Sequence, residues 1–211
     1  MRERPSSAVD WVRGLFGGRK AEQPRWSGEE ALTTGRRAVV AVEALACEAL
    51  CRPASDSGPA DQAVTSVFGR PVGVTLADGA HGVLAAASGL ALTGRRVAGF
   101  LPADRLPDVQ DLLRAAAERR LPLVLHAALE SGTGNGRGHG NYHAIADTGA
   151  FLAFARNIQE AADLTLVARL AAETALTPAV VALDASETAW SAQDLKLPDP
   201  ELVREFLGRA D

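Results

Sequence analysis

Short apolar runs recur along this chain at Val72 to Leu76, Val97 to Leu101, Leu121 to Ala128, Ala150 to Ala155 and Ala179 to Leu183. Between them lie segments of helical character at about 79 to 94, 106 to 120 and 158 to 175. Runs without polar alternation are those of strands buried on both faces, and helices between successive runs supply the crossovers that a parallel sheet requires. The pattern predicts an α/β fold: a single three-layer sandwich with a mainly parallel sheet of five or six strands, with 121 to 128 and 179 to 183 central. With 211 residues, 47% of them hydrophobic, the chain is long enough to bury one sizeable core.

That domain is expected over residues 28 to 211, preceded by an N-terminal tail, residues 1 to 27. In the tail Trp11, Leu15 and Phe16 fall at helical spacing among Gly, Arg, Lys and Pro; a short amphipathic turn and a plain leader both fit. Ser27 precedes Glu30 by three positions, the spacing of a capping box, and a helix is expected from about 28 to 51. Residues 52 to 70 are turn-rich and read as a loop or short helix. Farther on, Asn157 is positioned to cap a helix starting at Ile158, and Asp199 to cap a last helix, Glu201 to Leu207.

Charge and cysteine content narrow the function classes. A net charge of −4 gives no general attraction for nucleic acid or an anionic membrane. Arg2 and Arg4 are not followed by an apolar signal core, and no run approaches the roughly 20 apolar residues of a membrane span. A cytoplasmic protein is expected, and the Ala-rich, aromatic-poor composition is compatible with a high-GC bacterial source. The two cysteines, Cys47 and Cys51, would share a face of the expected helix, either as small buried groups or as a redox or metal pair. An iron–sulfur cluster, which normally takes four thiolates, is not expected in this chain, and no metal site is predicted.

The most distinctive stretch runs Leu121-Pro122-Leu123-Val124-Leu125-His126-Ala127-Ala128, then a Gly-rich loop to Gly140. It continues with Thr148-Gly149, Ile158-Gln159-Glu160-Ala161-Ala162-Asp163-Leu164 and Val181-Ala182-Leu183-Asp184. This order resembles the thiamine-pyrimidine-binding domain of the pyruvate:ferredoxin (2-oxoacid:acceptor) oxidoreductases, as a divergent member. The resemblance covers roughly residues 28 to 198 and is strongest from 121 to 184. It implies the pyrimidine-binding subunit or domain of a thiamine diphosphate enzyme. Its partners would be a diphosphate-binding domain or subunit of the same family and a ferredoxin-like subunit, in an oligomer. By resemblance the cofactor-binding positions are Asp78, Gly79, His126, His139 and Asn141; no catalytic residue is assigned.

The departures from the family pattern carry as much information. Where the family has Asp-His-x-Asp this chain has Gly138-His139-Gly140-Asn141, and Arg-Gln-Thr-Gly becomes Ala146-Asp147-Thr148-Gly149. The glutamate that protonates the aminopyrimidine aligns with Ala77; Asp78, one position on, is either its substitute or a helix cap. The arginine that ends His-Val-Ala-Ala-Arg is replaced in His126-Ala127-Ala128-Leu129-Glu130. Asp184-Ala185-Ser186-Glu187-Thr188 likewise has Glu187 for arginine, so Glu130 and Glu187 are expected to repel a 2-oxoacid from one pocket. The family's Pro-Ile-Thr-Pro-Ser-Ser stretch is not recognisable near 52 to 62. Ala77-Asp78-Gly79 only partly matches the Gly-Asp-Gly of a Mg²⁺-diphosphate site, and no Asn follows at 103 to 108. Thiamine diphosphate is therefore expected only with a partner domain. A catalytically inactive relative, kept as a structural or regulatory interaction module, is the other reading.

Overall fold

The computed structural model describes residues 28–55, 64–129 and 139–208. In chain order the elements are β1 (Glu29–Thr34), α1 (Gly35–Ala46), β2 (Ala49–Pro53), β3 (Gly73–Ala77), α2 (Gly79–Leu92), β4 (Val97–Pro102), α3 (Gln110–Glu118) and β5 (Val124–Leu129). There follow α4 (Gly140–His143), β6 (Phe151–Ala155), α5 (Ile158–Ala175), β7 (Ala179–Asp184), β8 (Ala192–Leu197) and α6 (Pro200–Leu207). Six strands form one sheet in the order β3-β2-β4-β5-β7-β6, and every pairing in it is parallel. The expected three-layer α/β sandwich is thus present. Both β5 and β7 lie inside the sheet, with Val124 opposite Ala179 and Leu129 opposite Asp184.

Helices α2 and α3 cover one face, where Val83, Leu84, Ala87, Leu113 and Ala116 pack on Leu125, Ala127 and Val180. On the other face α1, α5 and α6 bring together Val42, Ala46, Ile158, Leu166 and Val203. Val67 and Phe68, from the β2 to β3 connection, pack with this second group. The chain therefore leaves β2 over one face and returns from β3 to β4 through α2 on the other. That reversal makes the carboxyl ends of β2 and β4 a topological switch point, where open α/β sheets hold ligands.

Three expectations are corrected. The helix expected over 28 to 51 is instead β1, α1 and β2. Thr34 accepts a hydrogen bond from the Arg37 N–H and starts α1 seven residues later than Ser27 would. The Cys47 N–H closes the helix on the Glu43 carbonyl at 2.7 Å, and the Glu48 and Ala49 N–H groups then donate to the Arg96 carbonyl and carry the chain into the sheet. Glu30 faces Lys196 in an antiparallel pairing with β8, a ribbon that the sequence reading lacked. In consequence Cys47 and Cys51 share no helix face: one ends α1, the other lies in β2, and both are buried and free. Residues 52 to 70, read as a loop or short helix, begin instead with the end of a strand, because Arg52 and Pro53 finish β2. Finally β3, read as buried on both faces, is an edge strand with Val74 and Leu76 exposed. The tail over residues 1 to 27, with Trp11, Leu15 and Phe16, lies outside the described residues.

Candidate functional site

A cavity of about 290 Å³ opens at the switch point. Its walls come from the ends of β2 (Pro53, then Ser55), β4 (Phe100 to Pro102), β5 (His126 to Ala128) and β7 (Leu183), with Arg36 and Val39 of α1 on one side. A π-helical turn, Ala185–Ala189, and Trp190 complete it. The turn is held by Asp184, whose carboxylate accepts the Glu187 N–H at 2.8 Å. Gly35 lies against it so closely that a Cβ would come within 2.5 Å of the Thr188 carbonyl oxygen. The first turn of α1 is thereby pressed onto the cavity rim, and Arg36 Cζ sits 5.0 Å from the Trp190 ring centroid. Arg36 has its pKa lowered, first by burial and then by the positive charge of Arg52.

Beneath the cavity lies a fully buried charge network. Glu43 is two turns along α1 from Arg36, on the same helix stripe. Its carboxylate takes a hydrogen bond from His126 Nε2 at 2.7 Å. It also takes two from Arg169 of α5, the Nε one at 3.2 Å. Arg169 further donates to the Val97 carbonyl at 3.3 Å. Burial opposes ionisation of Glu43, but Arg169 and His126 outweigh it and hold the carboxyl below its usual range. Burial likewise disfavours charge on Arg169, and Glu43 reverses that, raising its pKa. An ionised Glu43 only accepts, so His126 carries its proton on Nε2. The His126 ring stacks under Phe100 with centroids 5.2 Å apart, and its buried Nδ1 has no hydrogen-bond partner among the described residues. The network ties α1, β5, α5 and β4 into one unit and so fixes where Arg36 stands.

The residues proposed from sequence do not gather in one place. Asp78 and Gly79 sit at the end of β3, at one edge of the sheet. Asp78 is exposed and occupies the N-cap of α2 without a side-chain capping bond. His126 is buried in β5 under the cavity. His139 and Asn141 start α4, where the His139 ring packs 4.8 Å from Phe154 of β6, the strand at the opposite edge. Glu187 is exposed and does not line the cavity, because its turn directs Ala185, Thr188 and Ala189 inward. The expected pairing of Glu187 with Glu130 in one pocket is therefore not formed by Glu187, and Glu130 and the loop 132–138 lie outside the described residues. Pro53 and Ser55, in the segment where the proline- and threonine-containing family stretch was not recognised, do line the cavity. Arg36, Glu43 and Arg169 were missed; the available signal was a charge set inside an apolar helix stripe, as Glu43 is between Val42 and Ala46.

Thiamine diphosphate asks for a carboxylate beside its aminopyrimidine and for oxygen ligands that hold Mg²⁺ on its phosphates. At the end of β3 Ala77 offers no carboxylate. Among the described residues, no group of three or more His, Cys, Asp or Glu is placed to hold a metal. These residues alone do not fit the whole cofactor. Cys47 and Cys51 offer no accessible thiolate either: burial raises both thiols, Cys51 to about 11.

The family described as "Pyruvate flavodoxin/ferredoxin oxidoreductase, thiamine diP-bdg" matches residues 53–211. The pyruvate synthase subunit PorA of Pyrococcus furiosus is 33% identical over 133 residues, covering 61% of this chain and 34% of that protein. The alpha subunit of the NADH-dependent phenylglyoxylate dehydrogenase of Aromatoleum evansii is 28% identical over 137 residues, covering 63% and 33%. The chain thus spans about a third of the length of these curated relatives. Among solved structures, the 2-oxoglutarate:ferredoxin oxidoreductase of Magnetococcus marinus superposes with a TM-score of 0.64 at 17% identity, over 92% of this chain and 37% of that one. A thiamine diphosphate-dependent 4-hydroxybenzoylformate decarboxylase of Rhodococcus jostii RHA1 gives 0.54 at 16% identity, over 84% and 33%. These two likenesses speak for the fold.

Proposed function

The chain belongs to the pyruvate flavodoxin/ferredoxin oxidoreductase family, thiamine diphosphate-binding domain, and from that premise we propose that it is the pyrimidine-side subunit or domain of a 2-oxoacid:acceptor oxidoreductase-like enzyme. A partner domain or subunit supplies the diphosphate half, and a further ferredoxin-like polypeptide carries electrons, the assembly being oligomeric. The observation that carries the proposal is the cavity at the carboxyl ends of β2, β4 and β5, on the family fold. Relatives named for pyruvate synthase and phenylglyoxylate dehydrogenase support a 2-oxoacid as the substrate class. In this reading the chain's own residues bind and orient substrate: Arg36 faces the acid, the apolar wall excludes water, and the Glu43–His126–Arg169 network holds both in place. Asp78 and Gly79 border the cofactor's pyrimidine, with His139 and Asn141 toward the partner. Among the described residues no helix is long and apolar enough to cross a membrane, and a cytoplasmic site of action is part of the proposal.

Ala77 favours a second reading, in which the chain keeps the domain interface but not the chemistry. Co-purification with the partner, followed by calorimetry with thiamine diphosphate and Mg²⁺, separates the two. The chain alone is expected to give no saturable binding and the complex to bind. A complex that forms yet does not bind the cofactor establishes the interaction-module reading, and micromolar binding by the chain alone refutes the need for a partner.

A further inference from the structure

The β1–β8 ribbon has one face packed and one face bare. Ala31 and Leu195 turn inward, into the core formed with α1, α5 and α6. Glu30 and Leu32 of β1 turn the other way, beside Ala192, Asp194 and Lys196 of β8, and all five are exposed, Leu32 by 72%. A groove of about 470 Å³ on this ribbon is lined by Glu30, Ala31, Leu32, Asp194, Leu195 and Lys196. Two carboxylates stand there against one ammonium, and among the described residues neither Glu30 nor Asp194 forms an ion pair. Among the described residues the ribbon is also a two-stranded sheet of its own, and two strands alone are marginal in water.

The sequence that leads into the ribbon is its chemical complement. Residues 1–27 hold six of the chain's 22 Lys and Arg but only three of its 26 Asp and Glu, a formal charge of +3 in a chain whose net charge is −4. Within them Trp11, Val12, Leu15 and Phe16 fall on one helical stripe, with Arg13 beside it and Arg19 and Lys20 after it. Gly28 brings this sequence onto the ribbon itself: its φ is +51°, and a Cβ there would stand 2.6 Å from the Leu197 carbonyl oxygen. The residues between Phe16 and Glu29 can span about 40 Å when extended, twice the roughly 20 Å length of a six-residue strand. The apolar stripe can therefore return to any point of the groove.

We propose that residues 10–20 of this chain dock on the outer face of its own β1–β8 ribbon, with the Trp11 to Phe16 stripe in the groove against Leu32 and the flanking cations paired with Glu30 and Asp194. An apolar stripe seated in a groove, with opposite charges along its rim, is a common way of recognising an amphipathic segment. The docked segment borders the cavity, because β1 runs directly into α1 and β8 starts two residues after Trp190. It straps the ribbon that leads to the cavity rim, whether or not the chain serves in an oxidoreductase.

The test is amide hydrogen exchange of residues 9–16 in the full chain, read by mass spectrometry at low ionic strength, where charge pairs are least screened. Exchange is expected to be at least about tenfold slower than in a free peptide of residues 8–20. It is expected to return to the peptide's rate in Leu32→Ser and in the double variant Glu30→Lys, Asp194→Lys, all at exposed positions that leave the core intact. Phe16→Ser is expected to abolish the protection with the ribbon unaltered, and it serves if a ribbon variant loses its strand pairing. Peptide-like exchange in the parent, or protection that survives both ribbon variants, overturns the proposal. Protection that fades on dilution also overturns it, since the segment then docks on a second copy.

Discussion

At the end of β3 the chain presents Ala77 and an exposed, uncapped Asp78, whereas under the ends of β4 and β5 it buries a carboxylate, an arginine and a histidine in a single network. The two regions belong to one sheet, the first on its edge strand and the second under its interior strands, and they obey different physics. A carboxylate at the exposed end of an edge strand contributes little to stability, so a chain can lose it and keep its fold. A buried ion pair cannot lose one member cheaply, because the remaining charge is left without water or partner. The scaffold that positions the cavity is therefore tightly constrained, and the exposed end of β3 around Ala77 and Asp78 is not. That explains how the chain can retain the family architecture while departing from the family pattern at Ala77.

The comparison breaks most visibly at Arg169. Arg169→Met, which fills the space but leaves Glu43 charged and buried, is expected to lower the stability by about 3–5 kcal/mol in urea denaturation. A cost under about 1 kcal/mol would show that Glu43 is not ionised in the fold. Acid sharpens the same point. The folded pKa of Glu43 is depressed, so its contribution is fully present above the unfolded carboxylate value, about 4.3. It is lost as pH falls through the folded value. Glu43→Gln is expected to flatten the loss of stability below about pH 4; an acid limb identical to that of the parent would remove Glu43 from the network.

Gly35→Ala comes next in size. The added Cβ would stand 2.5 Å from a backbone oxygen that cannot move without shifting the π-helical turn, and overpacking of this kind costs about 1–3 kcal/mol. Gly99→Ala also meets a close atom, 2.6 Å away, but that atom is Leu125 Cδ2, at the end of a side chain. It is expected to cost less than Gly35→Ala in thermal unfolding. The reverse order would mean that the cavity rim yields more readily than the core.

How much of this was legible in the sequence depends on where each residue's partner lies. Strands β5 and β7 are readable because their apolar runs record burial on both faces, and α5 because Asn157 and Ile158 mark its start within four residues. The β1–β8 ribbon is not, since its pairing joins residues more than 150 positions apart and only Leu195 in β8 is buried. The apparent capping box at Ser27 lost to Thr34, because tertiary pairing drew residues 29 to 34 into a strand. Among the site residues, His126 was visible by its place in a resembled motif. Glu43 and Arg169 become a pair only when α1 and α5 pack on the same face, with 126 positions between them.

The smallest expected effect is at Asp78, and it tests the comparison from the exposed side. Asn157 accepts the Glu160 N–H at 2.8 Å and so caps α5 with its side chain. Losing such a cap to alanine typically costs about 1 kcal/mol. Asp78 occupies the same position on α2 without that bond, so Asp78→Ala forfeits only the attraction of its charge for the helix N-terminus, on the order of 0.3–1 kcal/mol and at the low end when exposed. Measured side by side in urea, Asn157→Ala is expected to be clearly destabilising and Asp78→Ala to lie within about 0.5 kcal/mol of the parent. A cost for Asp78 equal to that for Asn157 would make it an ordinary cap. A near-neutral Asp78→Ala that nonetheless weakens thiamine diphosphate binding by the partner complex would identify this carboxylate as the stand-in for the glutamate absent at Ala77.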